Sequence, residues 1–400
     1  MRILQVTNKV PYPTKDGGAI ACMNLTKGFS LLGHEVTVLS MNTVKHHITI
    51  DEIPESVKNL AEFRLVDVPA RISAIKLVVN LLFSQQPYNA SRFIADNFST
   101  ELIKVLTEKE FDIIQLEGLY VCPYISLIRE FSNALVVYRA HNIEYEIWER
   151  SAELSKRFKR FYLRNLSRRI RKFETRLLNS YDVLVPITQR DESILYGLGN
   201  RKPSMVSQTG IDSSVLFPNS RNLEYPSLFH IGSMEWGPNQ EGLLWFLQNC
   251  WPAIHSKYPE LKFYLAGRNT PAWLARKFDL PNVQFLGEVA DAYEFMNSKA
   301  IMVVPLLSGS GMRVKIIEGM ALGKSIVSTP IGAEGIEVEK DKHILIAETA
   351  DQFVEAVSQL VENKELFDSV GRNAIGFIHE KFDNLAAASK LIDFYKQYIK

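Results

Sequence analysis

The chain predicts a doubly wound α/β protein made of two Rossmann-like domains. Short apolar runs alternate with helix-length amphipathic segments from one end to the other, the pattern of parallel sheets covered on both faces. A strand, loop, helix, strand opening occurs at the amino terminus and recurs near residue 227. At 400 residues the chain exceeds what a single hydrophobic core usually serves, so two domains are the natural partition.

The first strand series is Ile3 to Val6, Val36 to Leu39, Ile113 to Leu116, Leu135 to Tyr138 and Val183 to Val185. Its opening unit runs from the first strand through a loop, Asn8 to Gly18, into a helix stopped at Gly33, one β-α-β element. The second series is Leu228 to Ile231, Phe263 to Ala266, Val283 to Phe285, Ile301 to Val304 and Ser325 to Val327. After Leu228 to Ile231 a loop through Pro238 leads to a helix with Leu243, Leu244, Phe246 and Leu247 as its apolar positions. Between Pro218 and Pro226 neither helical nor strand periodicity survives, which puts the domains at 1–218 and 219–382. Residues 383–400 read as an amphipathic closing helix that packs on something, the first domain being the natural partner.

Composition narrows the partners. Apolar residues are 46% and charged residues 23% of the chain, ordinary values for a globular protein. A net charge of +1 implies no nucleic acid, so electrostatic partners must be read from local clusters. Cys22, Cys122 and Cys250 are scattered and odd in number, which fits free thiols in a reducing compartment and no metal-ligand spacing. The first residues lack the apolar core of a secretion signal, and the most apolar stretch, near Ile75 to Phe83, is less than half a bilayer span. The expectation is a cytoplasmic protein that is soluble or rests on a membrane surface.

The most informative segment is VVPLLSGSGMRVKIIEGMALGKSIVST, Val303 to Thr329. A buried strand enters a loop with Gly309 and Gly311, and the following helix carries Arg313, Lys315 and Glu318 in its first two turns. Open backbone N–H groups and a helix N-terminus together bind anions, and Arg313 and Lys315 reinforce them. Glu318 sits too deep to cap, and a carboxylate beside a phosphate site suits the vicinal hydroxyls of a ribose. Phosphate and ribose together indicate a nucleotide. The plain alternative is a tight turn followed by a solvated glutamate.

The pattern P-x-x-x-G-x-G followed by R-x-K-x-x-E-G-M-A-x-G-K-x-x-V-S-T resembles the donor-site signature of glycosyltransferase family 4. That resemblance implies the two-domain GT-B fold, its domains facing across a cleft, and a retaining transfer of sugar from a UDP- or GDP-type donor. The family pairs two glutamates separated by seven residues. Glu318 matches the second, which binds ribose, whereas the first falls at Ser310. Backbone amides near Gly311 and Met312 would then hold the sugar ring in place of a carboxylate. HIGSMEWGPNQEGLLWFL, containing Gly232 and ending at Leu247, is similar to the opening of the donor domain in one branch of the family. YLAGR is similar to its next strand and makes Arg268 a candidate diphosphate contact; TGID, Thr209 to Asp212, resembles the segment leading to the linker.

In the amino-terminal half, YPTKDGGA places Gly17 and Gly18 between a strand and a helix, and in the family this loop reaches toward donor phosphate and acceptor. In VVYRAHNIEYE a strand ends just before His141. Ligands of open α/β sheets gather at carboxyl strand ends, so His141 is a candidate catalytic residue, placed like the family's histidine and orienting donor or acceptor. Retention in the family needs no side-chain nucleophile: the departing phosphate takes the acceptor's proton, so Arg313 and Lys315 carry the main catalytic task. No D-x-D pair occurs, so no metal and no cofactor beyond the nucleotide-sugar substrate is expected.

One local charge cluster stands out. SKRFKRFYLRNLSRRIRKFE holds Lys156, Arg157, Lys159, Arg160, Arg164, Arg168, Arg169, Arg171 and Lys172 without an intervening acid. Phe158, Phe161, Tyr162, Leu166, Ile170 and Phe173 form a stripe at helical spacing. A basic amphipathic helix suits an anionic membrane surface, in keeping with a lipid-linked saccharide acceptor; the alternative is a stripe packed on the first domain. Two further readings share the fold. A sugar-nucleotide epimerase needs acid/base carboxylates clustered in the cleft, and a catalytically silent regulatory protein is favoured by Ser310 and opposed by Arg313, Lys315 and Glu318.

Overall fold

The computed structural model describes residues 1–14, 16–71, 73, 77, 79–80, 83–84, 86–153, 155, 157–208, 210–212, 216–219, 221–309 and 312–399, with backbone alone at 157 and 158. The chain divides into two compact units, Met1–Gly210 with Asn384–Lys400, and Ile211–Asp383.

The first unit holds β1 (Arg2–Thr7), α1 (Gly17–Leu31), β2 (Glu35–Asn42), β3 (Glu62–Asp67), α2 (Asp96–Glu108), β4 (Ile113–Glu117), β5 (Leu135–Ala140), α3 (Glu144–Glu153), α4 (Arg157–Leu177) and β6 (Val183–Pro186). Its strands are parallel in the order β3-β2-β1-β4-β5-β6. Alternate residues of one strand feed opposite cores. Leu4 and Val6 join Ile114, Leu116 and Ile170 on one face, while Ile3 joins Val36, Val38 and Ile113 on the other.

In the second unit the principal elements are β7 (Glu224–Ile231), α5 (Gly237–Asn249), β8 (Phe263–Ala266), β9 (Val283–Gly287), α6 (Ala292–Ser298), β10 (Lys299–Val304), α7 (Val314–Ala321), β11 (Ser325–Ser328) and β12 (Leu345–Ile346). The sheet order is β12-β11-β10-β7-β8-β9, again parallel. On α5 Leu243, Phe246 and Leu247 are buried, and Gly242 lets the helix lie against Pro305, where an added Cβ would stand 2.3 Å from the carbonyl oxygen.

Both sheets reverse direction once. Chain order proceeds outward from β1 to β3 and then restarts at β4 beside β1; it does the same from β7 to β9 and from β10 beside β7. The crevice at the carboxyl ends of the two central strands is where such sheets bind ligands.

One boundary differs from the sequence reading. The second unit starts at Ile211, not 219, because Ile211 donates its N–H to Phe382 O at 2.8 Å and packs with Leu216 in that unit's core. The final helix, α8 (Asn384–Lys396), belongs with the first unit. Asn384 Nδ2 donates to Asn24 O at 2.6 Å, and Ala388, Leu391, Ile392 and Tyr395 are buried with Met23, Leu25 and Phe29 of α1.

Candidate nucleotide-sugar site

At the switch point of the second sheet, β7 ends in the turn 232–236, and β10 precedes α7 in the chain. The helices that follow, α5 and α7, therefore start side by side. Lys315, on the first turn of α7, extends its ammonium to Asn239 Oδ1 at 2.9 Å, His230 Nε2 at 3.3 Å and Ile231 O at 3.4 Å. Every one of these partners is neutral. His230 donates from Nδ1 to Val303 O at 2.8 Å, so its Nε2 faces Lys315 as an acceptor, and burial with the adjacent Lys315 charge keeps this imidazole far below its usual pKa. Loss of water around the ammonium, then the nearby Arg313 charge, pulls Lys315 down to about 7. A desolvated ammonium facing dipoles with no carboxylate in salt-bridge reach among the described residues is a site prepared for an anion.

Arg313 caps α7 and is buried, its guanidinium carbon 5.6 Å from the centre of the Trp236 ring. Gly309 has φ +120, and a Cβ there would stand 2.8 Å from Arg313 Nη2, so only glycine lets the loop pass this close. At Gly232 a Cβ would meet Asn239 Nδ2 at 2.8 Å and Lys315 Nζ at 3.4 Å. Arg268 follows β8 at the same sheet end; its carbonyl accepts from Met234 N–H at 2.9 Å. Met312 packs at the margin of the core that holds Trp236. Ser310, Gly311 and Thr209 lie outside the described residues.

Glu318 is buried, which removes the reading of a solvated helix residue. Burial pushes its carboxyl up to about 7, with a hydrogen bond from Tyr293 pulling the other way. Tyr293, on α6, donates its hydroxyl to Oε1 at 2.9 Å. That bond fixes one carboxylate oxygen.

The first unit presents a different site at its own switch point. Gly17 and Gly18 open α1 directly after β1, with Asp16 as the cap accepting from Ala19 N–H at 3.0 Å. Burial raises the Asp16 pKa, but Lys9, 2.5 Å away, outweighs it and holds the carboxyl low. His141 follows β5, and its Nε2 lies 2.6 Å from Oε2 of Glu117, the last residue of β4. Arg139 Nη1 stands 3.7 Å from the same carboxylate oxygen and donates to Ala21 O at 3.1 Å.

Sequence reasoning missed Glu117, Asn239, His230 and Tyr293. Glu117 and His230 lie at the carboxyl ends of β4 and β7, and Asn239 lies on the first turn of α5, which follows β7, a signal available from the carboxyl-end rule. Tyr293 had none, because its helix precedes β10 and meets Glu318 only through the fold.

The basic segment is corrected in part. Leu163, Leu166, Ile170 and Phe173 of α4 are buried in the first unit's core, so the stripe packs inward and is not a membrane-inserting face. Arg169 also serves the fold, its Nη2 within reach of the carbonyl oxygens of Asn80 (3.1 Å), Ser84 (2.5 Å) and Gln86 (2.8 Å). Lys159, Arg160, Arg164, Arg168, Arg171 and Lys172 remain on the exposed face, beside Phe161 at 76% exposure. Lys156 and the side chains of Arg157 and Phe158 lie outside the described residues. No helix among the described residues is long and apolar enough to cross a membrane.

Fold and comparisons define the class. Residues 225–363 match the family model described as Glycosyl transferases group 1. Two parallel six-stranded sheets with interleaved helices are the architecture of GT-B glycosyltransferases. HepE from Anabaena, solved with UDP-glucose, is 13% identical, with 99% of this chain and 100% of that one covered at a TM-score of 0.71. Sucrose-phosphate synthase from Thermosynechococcus elongatus is 14% identical, with 99% of both chains covered at 0.75. A Klebsiella pneumoniae protein, described as an uncharacterized 44.6 kDa protein in the cps region, is 22% identical over 98% of both chains. Residues 225–363 thus resemble a group 1 glycosyl transferase domain, within a chain of GT-B architecture.

Proposed function

We propose that this chain is a retaining, metal-independent glycosyltransferase, moving a sugar from a UDP- or GDP-type donor to an acceptor sugar. We further propose that the acceptor is lipid-linked and that the reaction serves polysaccharide or glycolipid biosynthesis at the cytoplasmic face of a membrane. The observation that carries the reading is the Lys315 ammonium, desolvated among neutral partners beside Arg313 at the start of two adjoining helices. A diphosphate supplies the missing negative charge. Glu318 is then placed to accept the ribose hydroxyls through Oε2 while Tyr293 holds Oε1. As the sugar leaves, negative charge grows on the diphosphate, and Arg313 with Lys315 stabilises it where water is excluded. The diphosphate can take the acceptor's proton on the same face.

The ligands of solved neighbours favour this donor class: HepE with UDP-glucose, and TarM of S. aureus with α-GlcNAc-glycerol and UDP, the latter 12% identical with a TM-score of 0.72. The cps-region relative favours polysaccharide assembly. Titration calorimetry with UDP and GDP tests the reading. One of them binds, with Lys315→Ala weakening it; binding of neither at millimolar concentration overturns it. Ser310, in place of the family's first glutamate, keeps a silent nucleotide-binding protein in view, and hydrolysis of the bound donor in the absence of acceptor excludes it.

A further inference from the structure

We propose that Glu117 is a positioning residue that holds His141 in the tautomer protonated at Nε2, leaving Nδ1 as the acceptor for a substrate hydroxyl. The inference rests on the glycosyltransferase reading only for the identity of that hydroxyl.

Glu117 closes β4 with its side chain 3% exposed, and its carboxylate meets Gln115, Gln5, Arg139 and His141. Gln115 Nε2 lies 2.5 Å and Gln5 Nε2 3.3 Å from Oε1, while Arg139, itself 1% exposed, stands at 3.7 Å from Oε2. The two amides are held in that orientation from behind. Tyr395 of α8 donates to Gln115 Oε1 at 2.8 Å, and Thr26 Oγ1 lies 2.6 Å from Gln5 Oε1. Burial acts to raise the Glu117 pKa, but Arg139, His141 and Gln115 together hold the carboxyl below its ordinary range. An ionised carboxylate only accepts, so the 2.6 Å contact requires a proton on His141 Nε2.

Charge balance selects the neutral ring. Arg139 already compensates Glu117, so an imidazolium would set a second cation beside that guanidinium in a buried cluster. With Nε2–H committed to Glu117, the neutral ring keeps its lone pair on Nδ1. That nitrogen is enclosed and has no hydrogen-bond partner among the described residues, although the side chain as a whole is 15% exposed. An unmet acceptor inside a native protein calls for a functional explanation. A hydroxyl entering with the substrate completes it, and the same lone pair can draw on that hydroxyl's proton. The carboxylate acts through the ring and does not itself reach the substrate.

The first test needs no substrate. In protein carrying ¹⁵N-labelled histidine, two-bond ¹H–¹⁵N spectra at neutral pH, with His141→Gln to assign the signals, report the tautomer. The expected spectrum has a protonated Nε2 and a bare Nδ1. Protonation at Nδ1, or a fully charged ring, overturns the proposal. In Glu117→Gln the two nitrogen shifts should converge as the tautomer preference is lost. Turnover of UDP-glucose by that variant should fall at least tenfold, with UDP affinity within twofold of the parent. A variant that keeps both the tautomer and the turnover of the parent overturns the positioning role; should it fail to fold, the parent's spectrum decides. If UDP-glucose is not turned over at all, it is not this chain's donor, and the tautomer result alone decides the positioning role.

Discussion

The two sheets share one topology and place opposite chemistry at the same point of it. In the second unit the switch point holds a cation, Lys315, with neutral partners; in the first it holds an anion, Glu117, with Arg139 already beside it. One site is left short of negative charge, and the other is electrically complete. The carboxyl ends of central strands therefore fix where a ligand meets a doubly wound sheet, whereas the side chains behind that point decide which ligand. A diphosphate suits the first arrangement and an uncharged hydroxyl the second.

Removing the unbalanced charge tests that contrast most strongly. Changing Arg313 and Lys315 together to Ala should lower turnover by about 10²–10³-fold, the scale of losing donors aimed at developing charge, with a smaller loss of donor affinity. Steady-state kinetics separates the two. A change confined to KM would mean uniform binding of donor and transition state.

Next in size is Glu318→Gln, which should weaken nucleotide binding by roughly 1.5–3 kcal/mol, the range for hydrogen bonds to a charged group. Calorimetry that finds every nucleotide bound as before would remove Glu318 from the site.

The same residues predict how stability follows pH. Glu318 is raised from 4.5 to about 7, so between those values the folded chain keeps a proton that the unfolded chain has lost, and stability falls as pH rises. Lys315 is lowered from 10.5 to about 7, so above neutrality the unfolded chain holds the extra proton and stability rises with pH. Together they place a dip in unliganded stability near pH 7, filled by a nucleotide that binds there. Denaturant titration from pH 5 to 9, with and without UDP, measures it; a dip that UDP leaves unchanged breaks the link between the charge imbalance and the ligand.

Much of this architecture is legible in the sequence, for reasons visible at particular residues. Central strands such as Ile301 to Val304 are covered on both faces and read as unbroken apolar runs. The strands that were missed are both at edges. In β3, EFRLVD mixes charge with apolar residues because its outer rim meets solvent, and β12 spans only Leu345–Ile346. The candidate donor segment stands out because glycines, cations and Glu318 lie close together in sequence. Glu117 and His141 are far apart along the chain, and only the pairing of β4 with β5 brings them together. The apolar stripe of α4 misled for a different reason, since periodicity shows that one face is covered but does not say by what.

The smallest effect belongs to the outer face of that helix. With the stripe buried, membrane contact can use only the exposed cations and the edge offered by Phe161, so attraction should be electrostatic and weak. Each cation near an anionic surface contributes about 1 kcal/mol, screened over about 8 Å at physiological salt. Arg164, Arg168 and Lys172 lie at successive four-residue steps, are exposed, and make no contact on which the fold depends among those described, unlike Arg169. Changing these three to Glu should strip sedimentation with phosphatidylserine-containing liposomes at low salt while leaving UDP affinity unchanged, because the candidate donor residues belong to the other unit. Parent protein that ignores such liposomes at low salt would make the helix a solvated face only. A variant that loses UDP binding along with liposome binding would break the separation of tasks between the two units. If the variant loses the liposomes and keeps the nucleotide, a nucleotide-binding unit and a surface-seeking unit divide the work of one enzyme.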